Sequence, residues 1–304
     1  MEQNRDQWGS RVGFVLATIG SAVGLGNIWR FAYMAYENGG GAFLFPYIFA
    51  LLTAGIPLLL LEMGFGFFTR TSAPSSFRKL GKKFEWVGWW SVLVAFTVTV
   101  YYIVIIAWSL LFVFKSFNLG WTTNPEAYFF GDFLQFSGSA FNLGGVQWSI
   151  FFALIAIWLI NYIIIAGGVQ KGIEKASKIF MPLLAGMLLI IVFRGITLPG
   201  SMEGIKAFLT PDFSRIFELD IWIAAYGQIF FTLSLGFGIM IAYSSYLPKK
   251  SDVIKNGTIA AFADAAFSII TGIGVFGILG YMAVEQGVGI ADVATSGIGL
   301  AFIA

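Results

Sequence analysis

The sequence contains no cysteine and no histidine, and only 11% of its 304 residues are charged. Without cysteine there is no disulfide, no thiol nucleophile and no thiolate metal site. Without histidine the commonest general base and the commonest metal ligand are both missing. Most enzyme chemistry is thereby removed, and no catalytic residue is expected. A soluble domain carries roughly 25% charged residues, about twice the fraction found here. The net charge of +2 is too small to point to a nucleic-acid partner. A cleavable signal peptide is not indicated either, because the first apolar run follows a polar stretch and contains Arg30.

What is present is apolar: 58% hydrophobic residues, 18% of the chain aromatic. No soluble core of this length hides so much apolar surface, so the solvent must be lipid. Seven stretches are long and apolar enough to cross a bilayer, over 12–36, 42–68, 86–114, 148–166, 179–196, 221–246 and 259–284. Runs such as LLTAGIPLLLLEMGFGFF lack the alternation of a membrane strand. Only a helix satisfies its own backbone in lipid, so the expectation is an all-α polytopic membrane protein.

The cations orient it. Arg5, Arg11, Arg70, Arg78, Lys79, Lys82, Lys83, Lys171, Lys175, Lys178, Lys249, Lys250 and Lys255 share one side, which is 13 of the 18 basic residues. Lys115, Arg194, Lys206 and Arg215 lie on the other. The positive-inside rule places the amino terminus in the cytoplasm of a multi-pass inner (plasma) membrane protein. The loop over 118–146, rich in Phe, is expected to fold over the outer mouth. The stretch between Leu198 and Asp220 is expected to form short surface helices broken at Pro199 and Pro211. The final SGIGLAFIA is apolar and stops without charge or cap, which reads as a chain cut short after the seventh span.

Two spans are interrupted near their middles: GSAVGLGN at 20–27 and TLSLGFG at 232–238. Each interior glycine costs about 1 kcal/mol relative to alanine in a helix. An unwound turn in lipid also exposes peptide groups. Glycines alone would serve close helix packing equally well. The neighbouring Ser21, Asn27, Thr232 and Ser234 add side-chain oxygens where carbonyls would be freed, a combination suited to a desolvated hard cation. Half-helix amino termini nearby suit a carboxylate.

At these residues the sequence resembles the neurotransmitter:sodium symporter family, and within it the bacterial transporters of hydrophobic amino acids. The matches are GSAVGLGNIWRF at 20–31, ENGGGAFLFPY at 37–47, GIPLLLLE at 55–62, the Tyr101–Tyr102 pair and GQIFFTLSLGFG at 227–238. They fall in order along the whole chain. The resemblance implies an inverted-repeat transporter fold with discontinuous helices 1 and 6, a feature first recognised in this same family. Residues 1–197 would form the first five-helix repeat, 198–220 an extracellular loop, and 221–304 the start of the second repeat.

It also implies a site. One sodium ion would be held by the Ala22 carbonyl, Asn27, Thr232, Asp264 and the substrate carboxylate. A second would use the Gly20 and Val23 carbonyls together with ligands on a later helix. The substrate backbone would rest on Ser21, Ala22, Gly24, Gly26 and the Tyr102 hydroxyl, with Thr232 close by. Its side chain would face Val98, Ile105, Phe231, Ser234 and Phe237. Those walls are apolar, so an ionic substrate side chain would be left unpaired. Gly24 stands where the family's amine transporters carry an aspartate, which favours an amino acid over a monoamine. Sodium-coupled symport of hydrophobic L-amino acids is the reading. The alternatives are another small zwitterion or, less well supported, an ion channel. Oligomeric state is not legible.

By resemblance Arg30, with Tyr102 and Phe231, belongs to an outer gate, although snorkelling to headgroups would also explain the arginine. Arg5 and Trp8 match an inner gate. Gly172 and Pro182 match a motif that lets helix 5 unwind, although a proline in the first turns of a helix is an equally simple account. Glu62 matches a residue that braces unwound backbone. Asp264 departs from most relatives, which carry asparagine. The family's chloride ligands are matched by Tyr47, Gln228, Thr232 and Ser268. With the Asp264 carboxylate beside the first sodium, chloride is expected not to be required.

Overall fold

The computed structural model describes residues 6–28, 30–118, 121, 124–138, 141–142, 144–293 and 302. The expectations for Arg5 and for 296–304 fall outside these residues, Phe302 excepted. Among them the only β pairing is an isolated bridge between Gly40 and Pro211. Five unbroken helices are long and apolar enough to cross a bilayer: Gly41–Thr69, Lys82–Ser116, Trp148–Ala166, Val169–Thr197 and Val253–Gln286. These are spans 2, 3, 4, 5 and 7.

Span 1 is a pair of helices, Arg11–Ala22 and Gly26–Glu37, bent by 66° at the break. Span 6 is in two shorter pieces, Leu219–Thr232 and Ile239–Ser244. Seven stretches are thus borne out as helical, two of them discontinuous where the glycines fall. Span 5 begins ten residues earlier than its apolar run suggests. Its first turns, Val169–Glu174, are π-helical and carry Gln170, Lys171 and Glu174, which a hydropathy reading discards.

Span 7 is the centre of the bundle. Half of its apolar window is buried, against 11–17% in spans 3, 4 and 5, whose large side chains face outward to lipid. It packs on spans 1, 2 and 5 and on the short helix Ser201–Leu209. Small residues allow these close approaches. A Cβ on Gly195 would lie 2.8 Å from the Gly274 carbonyl oxygen, and one on Gly204 only 1.8 Å from the Phe276 oxygen.

Span 2 runs alongside both pieces of span 6. A Cβ on Gly55 would meet Ile229 at 2.7 Å, and one on Gly66 would meet the Ile241 oxygen at 2.1 Å. Glycine at those two positions lets one continuous helix touch both halves of a broken one.

The connections after spans 1, 3 and 5 are structured in their described parts. The Gly39–Gly41 corner between spans 1 and 2 is pinned to the stretch before span 6. Gly41 N–H donates to Thr210 O at 3.3 Å, Asp212 N–H to Gly39 O at 3.0 Å, and Arg215 Nη1 to Glu37 O at 2.8 Å. The expected short surface helices are present as Ser201–Leu209 and a 3-10 turn at Phe213–Arg215. The 118–146 loop, in its described part, packs Tyr128, Phe129 and Phe133 on Trp108 and Phe112 of span 3. It covers the end of that span.

Gly204→Ala is expected to lower the unfolding temperature of the detergent-solubilised protein, with an overpacking cost of about 1–3 kcal/mol. Gly64→Ala, where a Cβ meets nothing within 4 Å, should stay within about 0.5 kcal/mol of wild type. Equal melting of both variants would refute the packing argument.

Candidate functional site

The first interruption is built by a cap and a side chain. The first helix of span 1 is capped by Ser10, whose hydroxyl accepts from Gly13 N–H at 3.0 Å. It stops at Ala22, where Val23 turns extended (φ −71°, ψ 119°) while donating to Ile19 O at 2.7 Å. The chain resumes its helix at Leu25. Asn27 holds this turn: its Oδ1 accepts from Gly24 N–H at 2.7 Å, and its own N–H donates to Gly24 O at 3.1 Å.

The second interruption needs left-handed backbone. Ser234, Gly236 and Gly238 have φ of 52°, 83° and 71°, conformations that glycine adopts without strain and serine does not. Ser234 is held by its hydroxyl, which donates to Ser21 O at 3.2 Å across the two breaks. Gly236 N–H donates to Glu62 Oε1 at 2.6 Å. The bracing expected of Glu62 is therefore what its carboxylate does, from a position on span 2 between the Gly55 and Gly66 contacts.

A buried polar cluster joins both breaks to span 7. Asn27 Nδ2 lies 2.9 Å from Thr232 Oγ1, 2.8 Å from Asp264 Oδ1 and 2.8 Å from Ser268 Oγ. Thr232 Oγ1 donates to the Asp264 carboxylate, 3.0 and 2.9 Å from its two oxygens. None of the four side chains is more than 3% exposed. An amide nitrogen has two hydrogens and here faces three acceptors, so its hydrogens are shared. Beside this cluster, Tyr47 and Gln228 are fully buried. The Tyr47 hydroxyl and Gln228 Nε2 have no hydrogen-bond partner among the described residues.

Between the breaks lies a cavity of about 220 Å³. Drug-sized pockets run roughly 300–1,000 Å³, so this one suits a single small molecule. It is lined by Gly20, Ser21, Ala22, Val23, Gly24, Gly26 and Asn27 from span 1, and by Phe231, Thr232, Ser234 and Phe237 from span 6. Val98 and Tyr102 contribute from span 3. Among the described residues no charged side chain lines it.

Ile105 does not line it. It is buried three residues beyond Tyr102, where the span has already passed the cavity. Ala95, Thr99 and Ile239 do line it and were missed. The signal for two of them was available: 95, 98, 99 and 102 fall on one helical face at i, i+3, i+4 and i+7.

Tight glycines shape the floor. A Cβ on Gly24 would sit 2.8 Å from the Tyr102 hydroxyl, and one on Gly26 2.5 Å from Phe231.

Arg30 and Trp8 lie on opposite sides of the span 1 break. Arg30 lies over the Phe231 ring, its Cζ 4.8 Å from the centroid, and Arg30 Nη1 donates to Gln228 Oε1. A headgroup-seeking arginine would point away from the bundle; this one points into it. At the other end the buried Trp8 donates its indole N–H to Tyr243 O at 2.8 Å and its backbone N–H to Tyr246 O at 3.2 Å. Its ring meets Phe14 and Tyr243 edge-on. Gly172 is packed against the end of span 4, where a Cβ would lie 1.8 Å from the Ile164 oxygen. Pro182 sits inside the helix Lys175–Thr197, and not in its first turn.

Comparison with known proteins agrees with this geometry. The model of the sodium:neurotransmitter symporter family matches residues 5–126 and 121–304. The chain belongs to that family. It is similar to an uncharacterized sodium-dependent transporter of Methanocaldococcus jannaschii, 48% identical over 299 residues, which cover 98% of this chain and 61% of that protein. It is also similar to the human sodium- and chloride-dependent GABA transporter 2, 34% identical over 336 residues (99% and 55%). The bovine sodium- and chloride-dependent taurine transporter is 36% identical over 334 residues (99% and 54%). The chain thus spans about three-fifths or less of the length of these relatives. Members of the family are sodium-dependent transporters, which are not enzymes.

Removing the Glu62 brace is expected to strand the Gly236 N–H. Glu62→Ala should cost about 1–3 kcal/mol, read as a lower unfolding temperature in detergent. Glu62→Gln, which keeps an acceptor oxygen, should recover most of the loss. Wild-type melting in both variants would show that the contact does not support the break.

Proposed function

We propose that this chain provides the substrate site and most of the first sodium site of a symporter that moves a hydrophobic L-amino acid with sodium by alternating access. The observation that carries the reading is the meeting of two interrupted spans around one cavity lined by no charged side chain among the described residues, with Asn27 and Thr232 in its lining and Asp264 hydrogen-bonded to both behind them. Freed peptide carbonyls and neutral oxygens suit a dehydrated alkali ion, and the Asp264 carboxylate offsets its charge. Sodium is here cargo, bound and released in each cycle.

Asn27 presents its amide nitrogen, not its oxygen, to Thr232 and Asp264. A cation requires the oxygen, so ion binding would turn the amide through half a rotation and free the Gly24 N–H for a substrate carboxylate. That links the two ligands physically: each removes the other's competitor.

The substrate would lie with its carboxylate toward Gly24 and Gly26 and its amino group toward the span 6 break. Its apolar side chain would face Val98, Phe237 and Ile239. Arg30 over Phe231 would close the outer side, with Trp8 against span 6 closing the inner side. Residues 1–197 then act as one repeat and 221–304 as the start of its inverted counterpart, in a plasma membrane with the amino terminus inside. A second sodium near the Gly20 and Val23 carbonyls, and unwinding between Gly172 and Pro182 on the inward path, complete the proposed cycle.

Two second readings have specific support. Relatives named for GABA and taurine favour another small zwitterion. The unpartnered Tyr47 hydroxyl and Gln228 Nε2 are the donors an anion would use, with Ser268 and Thr232. We nonetheless assign the balancing charge to Asp264 and propose chloride-independent transport. An ion channel would not need its polar groups gathered at two helix breaks.

Asn27→Ala and Thr232→Ala are each expected to weaken sodium and substrate together by about tenfold or more, about 1.4 kcal/mol. Sodium-dependent binding of labelled leucine measures both constants; unchanged sodium affinity in the two variants defeats the assignment. In reconstituted vesicles, uptake should persist when gluconate replaces chloride. Collapse of uptake would give the anion role to the Tyr47 and Gln228 cluster. Excess leucine or tryptophan should suppress that uptake and GABA or taurine should not, whereas the reverse order would select the zwitterion reading.

A further inference from the structure

A second cavity, of about 530 Å³, opens where span 4 turns into span 5, away from the site above. It is lined by Gly9, Gln170, Lys171, Glu174, Lys175 and Lys178. Glu174 is buried, and its carboxylate is already committed: it accepts from Gly9 N–H at 2.6 Å, Ser10 Oγ at 2.7 Å and Lys178 Nζ at 2.6 Å. Lys171 and Lys175 have no such partner and form no ion pair among the described residues. Both are exposed. Asp6, from the amino-terminal segment, accepts the Val169 N–H at 2.6 Å. Two like charges one turn apart repel, and nothing in the chain's own packing relieves it.

What lies below the lysines on the same helix face points to the ligand. Lys171, Lys175, Ile179 and Leu183 recur at four-residue intervals. Ile179 and Leu183 are 55% and 52% exposed. The row, which slants around the helix as four-residue steps do, therefore changes from cationic to apolar in the order in which a lipid changes from phosphate to acyl chain. Free phosphate would use the upper half only.

We propose that this cavity binds the phosphodiester headgroup of an anionic phospholipid, with Lys171 and Lys175 on the phosphate, the Gln170 amide on the glycerol hydroxyls and the acyl chains along Ile179 and Leu183. The site is separate from the transport cavity. It sits beside Gly9 and the buried Glu174, so a bound lipid would steady the contact between the amino-terminal segment and span 5. It requires only that this end of spans 4 and 5 meet the membrane surface, whichever leaflet that is.

Native mass spectrometry of the protein released from micelles doped with equal amounts of phosphatidylglycerol and phosphatidylcholine tests this. Wild type should retain phosphatidylglycerol in preference. A lysine near an anionic surface contributes about a fivefold preference, so K171Q/K175Q should lose about 25-fold. K171R/K175R should keep it, and K82Q/K83Q, which removes two cations from the span 2–3 connection, should leave it unchanged. Excess inorganic phosphate should not displace the lipid. Undiminished retention by K171Q/K175Q, an equal loss in K82Q/K83Q, or displacement by phosphate would each overturn the proposal. If the double variant melts early in phosphatidylcholine micelles, K171Q alone should show the fivefold loss; full retention by K171Q would count the same way.

Discussion

The side chain of Asn27 is the point on which the arrangement turns. Its oxygen holds the interruption of span 1 in shape, and its nitrogen reaches Thr232 at the end of the first half of span 6 and Asp264 and Ser268 on span 7. A single amide thus fastens two broken helices to one intact helix. In a water-poor interior, such a network is strong when satisfied and costly when any member is left over. The backbone constraint of lipid acts in the same direction. Unwound peptide groups must find partners inside the protein, and here Glu62, Ser234 and Asn27 supply them.

Much of this was legible from residue order. The spans, their two interruptions, the brace at Glu62 and most of the cavity lining follow from glycine placement, polar neighbours and family resemblance. The errors have physical causes. Ile105, implied by the family resemblance alone, is absent from the lining, while Ala95 and Thr99, which share a helical face with Val98 and Tyr102, belong to it. Span 5 was begun at its first purely apolar residue, although a buried Glu174 can be helical when three donors meet it. The hydrogen bonds of Trp8 could not be read at all, because they are with main-chain carbonyls, and any sequence offers those. Nor could the orphan donors of Tyr47 and Gln228, which exist only through what the fold fails to place beside them.

The cavity itself is chemically spare. No formal charge lines it, its polar edge is largely backbone and hydroxyl, and its tightest contacts are where glycine meets Tyr102 and Phe231. Selectivity in such a site comes from volume and from which end of a ligand is ionised, so small changes of wall residue would redirect it without altering the scaffold. Arg30, held by Gln228 and the face of Phe231, is not among the lining residues.

Span 2 also works as a ruler. Gly55 touches the first half of span 6, Glu62 its gap and Gly66 its second half, three marks on one rod. A helix turns about 100° per residue, so inserting or deleting one residue between the first and last mark would swing Gly66 off the Ile241 carbonyl and put a side chain in its place. The π turn at Leu51–Gly55 ends at the first mark, where its wider coil adjusts the rotation once before the measured stretch begins. Along these twelve positions the lipid face can drift in sequence, but the length is fixed.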